Sequence, residues 1–287
     1  MTNMHFVNLF HDGAARAAVS DGDHYRLLPA ADGLSAELGE RIARGEDLAR
    51  TAETARTAGE RVPAATARFA PLLTRPGKVI CLGLNYFDHA KEGGRDKPTY
   101  PWFFLRAASS LLAHGEPAPL PTVSTQYDYE AELAVVIGQR GKRVPRERAL
   151  DLVLGYSCFN DLSVRDYQKK TPQWTIGKNF DASGAFGPAL VLAGDLPPGG
   201  RDLRIQCRVN GQVMQDANTS SMIFDVAETI EILTGCMTLE PGDVIVMGTP
   251  AGVGFARQPP VWLKDGDRVE VEIEGVGCLS NPVVPGG

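Results

Sequence analysis

The sequence predicts an α+β, β-dominated protein: a small N-terminal α/β domain followed by a larger body built mainly of strands. Three observations predict this. Short apolar runs recur between turns containing Gly, Asn or Asp. Within the larger body only Phe224 to Leu233 carries sustained helical spacing. The interval from Leu34 to Arg61, rich in Ala, Glu and Arg, differs in composition from everything after it.

Taken in order, Val7-Asn8-Leu9-Phe10, Ala17-Ala18-Val19 and Tyr25-Arg26-Leu27-Leu28 alternate with turns at Asp12-Gly13 and Asp21-Gly22-Asp23, the pattern of a strand meander. Surface helices are expected over 34–61. The Arg75-Pro76-Gly77 turn closes this part, giving domains of 1–75 and 76–287. Val79 to Leu84 reads as a buried strand. Leu133 to Ile137 and Val153 to Asn160 are further apolar runs. Leu203 to Val209 and Gln212 to Gln215 flank Asn210-Gly211, the strongest short hairpin signal. Phe224, Ala227, Ile230 and Leu233 fall on one helical face, and Gly235 is expected to stop that helix. Pro241-Gly242-Asp243 turns into Val244 to Met247. Asp265-Gly266-Asp267 leads to the alternating Val269, Val271 and Ile273.

A chain of 287 residues can bury a full core. With 43% hydrophobic and 22% charged residues it has the composition of a soluble globular protein. A net charge of −6 gives no basic footprint for nucleic acid. The apolar runs are too short to span a membrane, and Met1 to Val7 lack the plan of a secretory signal. Five scattered cysteines, none in a C-x-x-C pair, indicate neither a disulfide framework nor a zinc knuckle. A cytoplasmic location is expected.

Four segments carry possible chemistry. In Tyr127-Asp128-Tyr129-Glu130-Ala131-Glu132, residues two apart in a strand project side by side. Asp161 ends the neighbouring apolar run. Acids at the edge of apolar strands need a positive partner, and an all-oxygen site suits Mg²⁺ or Mn²⁺ better than zinc. The plainer alternatives are the polar face of a half-exposed strand for the glutamates and a turn or cap for Asp161. His89 and Glu92 are three apart, so on a helical turn a carboxylate would lie beside an imidazole and orient it as a base; an ordinary surface pair has the same spacing. The following Gly93-Gly94-Arg95-Asp96-Lys97-Pro98 would suit a mobile lid. Lys178, between Gly177 and Asn179-Phe180, could stabilise an enolate or could be a solvated loop lysine. Gly248-Thr249-Pro250-Ala251-Gly252-Val253-Gly254 would let backbone approach a ligand. It lacks the P-loop spacing, so phosphate cradling is rejected.

In combination and order, these segments resemble the fumarylacetoacetate hydrolase family. The matching residues are Asn85-Tyr86-x-x-His89-x-x-Glu92, Asp128-Tyr129-Glu130-x-Glu132, Asn160-Asp161-x-x-x-Arg165-Asp166-x-Gln168, Gly177-Lys178-x-Phe180-Asp181 and Gly248-Thr249-Pro250-x-Gly252-Val253-Gly254. The resemblance covers roughly residues 76–284. It implies a mixed β-roll or β-sandwich in the C-terminal domain and a homodimer. Glu130, Glu132 and Asp161 would hold one Mg²⁺ or Mn²⁺. His89 and Glu92 would activate water, and Lys178 would stabilise developing charge. Gln168, Thr249 and Arg106 would contact the substrate.

The implied activity is hydrolytic C–C cleavage of an acylpyruvate- or fumarylpyruvate-like 1,3-diketo acid through a metal-bound pyruvate enolate, in aromatic-compound or sugar-acid catabolism. The rivals are isomerisation or decarboxylation of 2-hydroxymuconate-type diacids, oxaloacetate tautomerisation or decarboxylation, and a catalytically silent binding protein on the same scaffold. Two positions depart from the pattern. Met247 stands where Thr or Ser is common, and Arg106 where Lys is frequent. They bear on substrate identity more than on the metal, as do Trp102, Phe103, Trp174 and the loop after Gly254.

Overall fold

A computed structural model describes residues 4–30 and 36–286. The body is a large mixed sheet facing a smaller one. Across the large sheet the strands run Arg61–Pro63, His24–Leu27, Ala14–Asp21, His5–His11, Gly184–Leu192, Val153–Asp161, Ala131–Ile137, Val244–Val246, Val79–Gly83 and Trp102–Arg106. Leu111–Leu112 pairs parallel with Gly184–Leu192 off this path. The smaller sheet has the order Gln212–Asn218, Arg204–Val209, Arg268–Ile273, Gly277–Val284 and Ala118–Pro119.

The expected N-terminal meander forms, and His5–His11 pairs antiparallel with Gly184–Leu192, so these strands extend the large sheet. Helices Leu38–Ala43 and Leu48–Ala58 occupy the interval expected to be helical, of which residues 34 and 35 lie outside the described residues. Asp47 caps the second helix by accepting from the Arg50 N–H at 3.1 Å. Asn210 and Gly211 both take positive φ, +53° and +78°, which joins the hairpin tightly. The helix Val226–Cys236 begins one residue after its cap, Asp225, and runs through Gly235 instead of stopping there. A glycine costs a helix only about 1 kcal/mol, and burial of Ile230, Leu233 and Thr234 holds the last turn in place. No helix among the described residues is long and apolar enough to cross a membrane.

The strand Ala131–Ile137 is buried along its whole length. Leu133, Val135 and Ile137 pack into the core between the two sheets, with Ile205, Cys207, Val271 and Leu279. Ala134 and Val136 face the other way, into a second core with Phe159, Val79, Val246 and the N-terminal helix residues Leu38, Ile42 and Ala52. Neither face is open to solvent. Any acid on this strand is therefore forced into the interior.

Candidate active site

Strand alternation puts Glu130 and Glu132 on the face of Ala134 and Val136. The neighbouring antiparallel strand sets Phe159 opposite Glu132, and the Asp161 N–H donates to the Glu130 carbonyl at 2.9 Å. Asp161 shares the face of Phe159, so all three carboxylates converge at the ends of two adjacent strands. They are 4%, 1% and 0% exposed, which removes both the half-exposed strand face and the turn or cap as explanations. One carboxylate oxygen from each lies within 4.8 Å of the others.

Cations surround this cluster unevenly. Lys178 Nζ donates to Glu130 Oε2 at 2.5 Å and to Asp161 Oδ2 at 2.6 Å. Arg165 pairs through Nη2 with Glu130 Oε1 at 2.6 Å and through Nε with Asp128 Oδ2 at 2.8 Å. Arg106 donates to Asp161 Oδ1 at 2.5 Å and to Ser183 Oγ at 2.8 Å. Among the described residues no ion pair reaches Glu132, which accepts only the Gly248 N–H, at 2.6 Å. Burial and then the charges of Asp161 and Glu130 push the Glu132 carboxyl well above the usual range. For Glu130 burial opposes ionisation, but Arg165, Lys178 and His89 outweigh it and hold the pKa low. Burial likewise acts against a charged Lys178, yet Asp161 and Glu130 raise its pKa overall, so it stays an ammonium.

The buried group thus sets four acids (Asp128, Glu130, Glu132, Asp161) against three cations (Arg106, Arg165, Lys178). The acids outnumber the cations by one, and Glu132 is the acid left without a cationic partner among the described residues, in keeping with its raised pKa. Three converging carboxylates with an acid in excess and only oxygen donors fit a hard divalent cation.

The helix Phe87–Glu92 delivers the second constellation. His89 Nδ1 lies 2.8 Å from Glu92 Oε1. A carboxylate can only accept, so Nδ1 carries the proton and Nε2 is left as the basic nitrogen. Glu92 Oε2 accepts the Gly252 N–H at 2.9 Å, which ties the base to the glycine loop. That loop is held at several points. Gly248 and Gly252 take φ of +87° and +105°, and a Cβ on Gly248 would meet the Asn85 Cβ at 2.7 Å. Asp128 accepts the N–H groups of Gly254 and Phe255 at 2.7 and 3.0 Å.

These groups meet in one cavity of about 640 Å³ lined by His89, Glu130, Glu132, Asp161, Gln168, Lys178 and Thr249. Trp102 and Trp174, stacked at 5.4 Å, form part of its wall, and the exposed Arg95, Lys169 and Lys170 also face it. Gln168 accepts from Arg165 at 2.9 Å through its oxygen, which leaves its amide N–H₂ free to donate. Lys178 is 2% exposed, not a solvated loop lysine. Arg106 needs correction. It was expected to touch substrate, but its guanidinium is spent on Asp161 and Ser183 and it is absent from the cavity wall. It holds a triad carboxylate from behind. Sequence reasoning gave no role to Arg165, although it stands in a quoted motif. It also missed Asp128 as the anchor of the loop, and Gln215.

The fold, with its buried acidic triad, is an α+β architecture of the fumarylacetoacetate hydrolase type. The family model for the fumarylacetoacetate (FAA) hydrolase C-terminal region matches residues 78–284, and the chain belongs to that family. Its members are enzymes. The chain is 45% identical over 214 residues to the mitochondrial oxaloacetate tautomerase fahd2 of Xenopus laevis, covering 74% of this chain and 67% of that protein. Fumarylacetoacetate hydrolase from Exiguobacterium antarcticum superposes with a TM-score of 0.85 at 36% identity, over 98% of this chain and 99% of that one. The 2-hydroxyhepta-2,4-diene-1,7-dioate isomerase from Mycobacterium marinum gives 0.78 at 33% identity, over 99% of each. The names of these relatives span tautomerase, hydrolase and isomerase chemistry.

Proposed function

We propose that this protein is a divalent-metal-dependent enzyme that moves a proton between carbon and oxygen in a small 2-oxo acid, with keto–enol tautomerisation of an oxaloacetate-type diacid as its reaction. The observation that carries this reading is the convergence on one cavity of a base, a fixed cation and an acid cluster short of positive charge: His89 on Glu92, Lys178, and Glu130 with Glu132 and Asp161. Tautomerisation requires only these parts.

Glu130, Glu132 and Asp161 would hold Mg²⁺ or Mn²⁺, which would act as a Lewis acid toward the 2-oxo group. His89 Nε2 takes the proton from the carbon next to that group, and Glu92 stabilises the imidazolium that forms. The electron pair moves onto the oxo oxygen. Lys178, kept protonated by Asp161 and Glu130, places a fixed positive charge beside it. The proton then passes from His89 to oxygen, and the reverse path returns the keto form. Gln168 and Thr249 supply hydrogen bonds that orient the substrate within the cavity.

A second reading has its own support. The oriented base could instead activate water for hydrolytic cleavage of an acylpyruvate, and the cavity has room for a substrate longer than oxaloacetate. Both readings are tested by following enol absorbance with Mg²⁺ or Mn²⁺ present. Metal-dependent ketonisation of enol-oxaloacetate without loss of carbon supports the first. Release of pyruvate from acetylpyruvate or fumarylpyruvate supports the second. Failure with every 2-oxo acid would refute both.

A further inference from the structure

Gln215 sits in the strand Gln212–Asn218 of the smaller sheet and is 1% exposed. Its amide is fixed at both ends. Oε1 accepts the Ala131 N–H at 2.9 Å, and Nε2 donates to the Pro250 carbonyl at 2.8 Å. A backbone donor at one end and a backbone acceptor at the other allow only one orientation of the amide. Nε2 therefore also donates, at 2.7 Å, to Thr249 Oγ1. Because that hydroxyl oxygen accepts from the amide, its own proton must point elsewhere. Thr249 is 3% exposed and lines the cavity, and among the described residues no protein group accepts that proton.

We infer that Gln215 is a positioning residue that holds the Thr249 hydroxyl with its proton available to the cavity, so that this wall donates a hydrogen bond to a carboxylate oxygen of the ligand. The inference rests on the 2-oxo acid reading of the cavity. The same amide that aims Thr249 also grips Ala131, the residue between Glu130 and Glu132. The smaller sheet thereby fixes the carboxylate-binding wall and the acid cluster in one register, although it contributes no residue to the cavity lining.

The test is calorimetric titration of the Mg²⁺-loaded protein with oxalate, a planar dianion that presents carboxylate oxygens to both the cluster and the wall, at pH 8. Gln215→Glu turns the donor into a group that only accepts, so the Thr249 hydroxyl turns toward it and away from the ligand. Gln215→Glu and Thr249→Val are each expected to weaken oxalate by about tenfold or more, the loss for a hydrogen bond to a charged group. The double variant should bind no more weakly than Thr249→Val alone, and Thr249→Ser should rescue binding. In turnover, KM should rise more than kcat falls. Should Gln215→Glu fail to fold, Gln215→Met is expected to show the same non-additivity. Oxalate binding unchanged by Gln215→Glu, or losses that add in the double variant, would overturn the inference. Tight oxalate binding by a wild-type protein that turns over no 2-oxo acid would defeat the proposed activity while leaving this inference standing.

Discussion

Replacing Glu132 with glutamine should stabilise the metal-free protein. Among the described residues Glu132 is the acid of the cluster left without a cation, and its only hydrogen bond comes from the Gly248 N–H; it is 1% exposed. A buried charge without a partner costs about 3–5 kcal/mol. An amide oxygen keeps the Gly248 bond but weakens it by about 1 kcal/mol, the difference between charged and neutral acceptors. The net gain is about 2–4 kcal/mol, or about 4–8 °C in melting temperature for a chain of this size. Metal reverses the order. At a concentration one hundred times its Kd, a ligand of the native state adds about 2.7 kcal/mol, and the wild type should gain that while Glu132→Gln gains little.

The sign of the pH dependence follows from the raised Glu132 pKa. An acid with a raised folded-state pKa contributes stability below its unfolded value and loses it as pH rises through the folded value. The advantage of Glu132→Gln is therefore full above the raised folded-state pKa and shrinks as pH falls from there toward the unfolded value, below which the carboxyl is neutral in both states. Scanning calorimetry in EDTA and in Mg²⁺, at several pH values, reads all of this. A variant less stable than wild type in EDTA, or one with an undiminished Mg²⁺ response, would refute the charge argument.

Other outcomes follow from the same geometry. Arg106→Met removes the cation behind Asp161 and should cost about 3–5 kcal/mol in unfolding free energy. Its metal affinity should also fall, although the residue lies off the cavity wall, and this is read by chemical denaturation and metal titration. His89→Ala should leave the melting temperature near wild type and lower kcat roughly 10²–10⁴-fold, measured with enol-oxaloacetate. In Gly83→Ala the new Cβ collides with the Trp174 ring, so the Trp102–Trp174 stack must shift. Intrinsic fluorescence should change and KM should rise with little effect on metal binding.

Strand periodicity is local, so the alternation places Glu130 and Glu132 on one face, but it leaves a half-exposed strand face and a turn or cap at Asp161 open; the order of the surrounding motifs, as a resemblance, is what singles out the triad. The hairpin at Asn210-Gly211 was legible from the residues themselves, since the turn chemistry lies in two adjacent residues. Position relative to the cavity was not legible. Arg106 reaches Asp161 across 55 residues of sequence, and Gln215 reaches Ala131 across 84. Nothing at those positions signals which side of a carboxylate they approach. The charge state of the site is likewise a property of packing. Lys178 looks like a loop lysine until burial and two carboxylates surround it, and Glu132 becomes the uncompensated acid only because Arg106, Arg165 and Lys178 all turn to its neighbours. The end of the last long helix was misplaced because tertiary burial of Ile230 and Leu233 outweighs the weak local signal of Gly235.

The most direct test of the central claim is exchange of the carbon-bound protons of oxaloacetate with solvent deuterium, followed by NMR at short times against the uncatalysed background. Wild-type protein with Mg²⁺ or Mn²⁺ should accelerate exchange at the carbon beside the oxo group. EDTA should abolish the acceleration, and so should His89→Ala, while the melting temperature of that variant stays unchanged. Exchange at the background rate with wild-type protein and metal, or acceleration that survives His89→Ala, would contradict the assignment of His89 as the base of an enolising site.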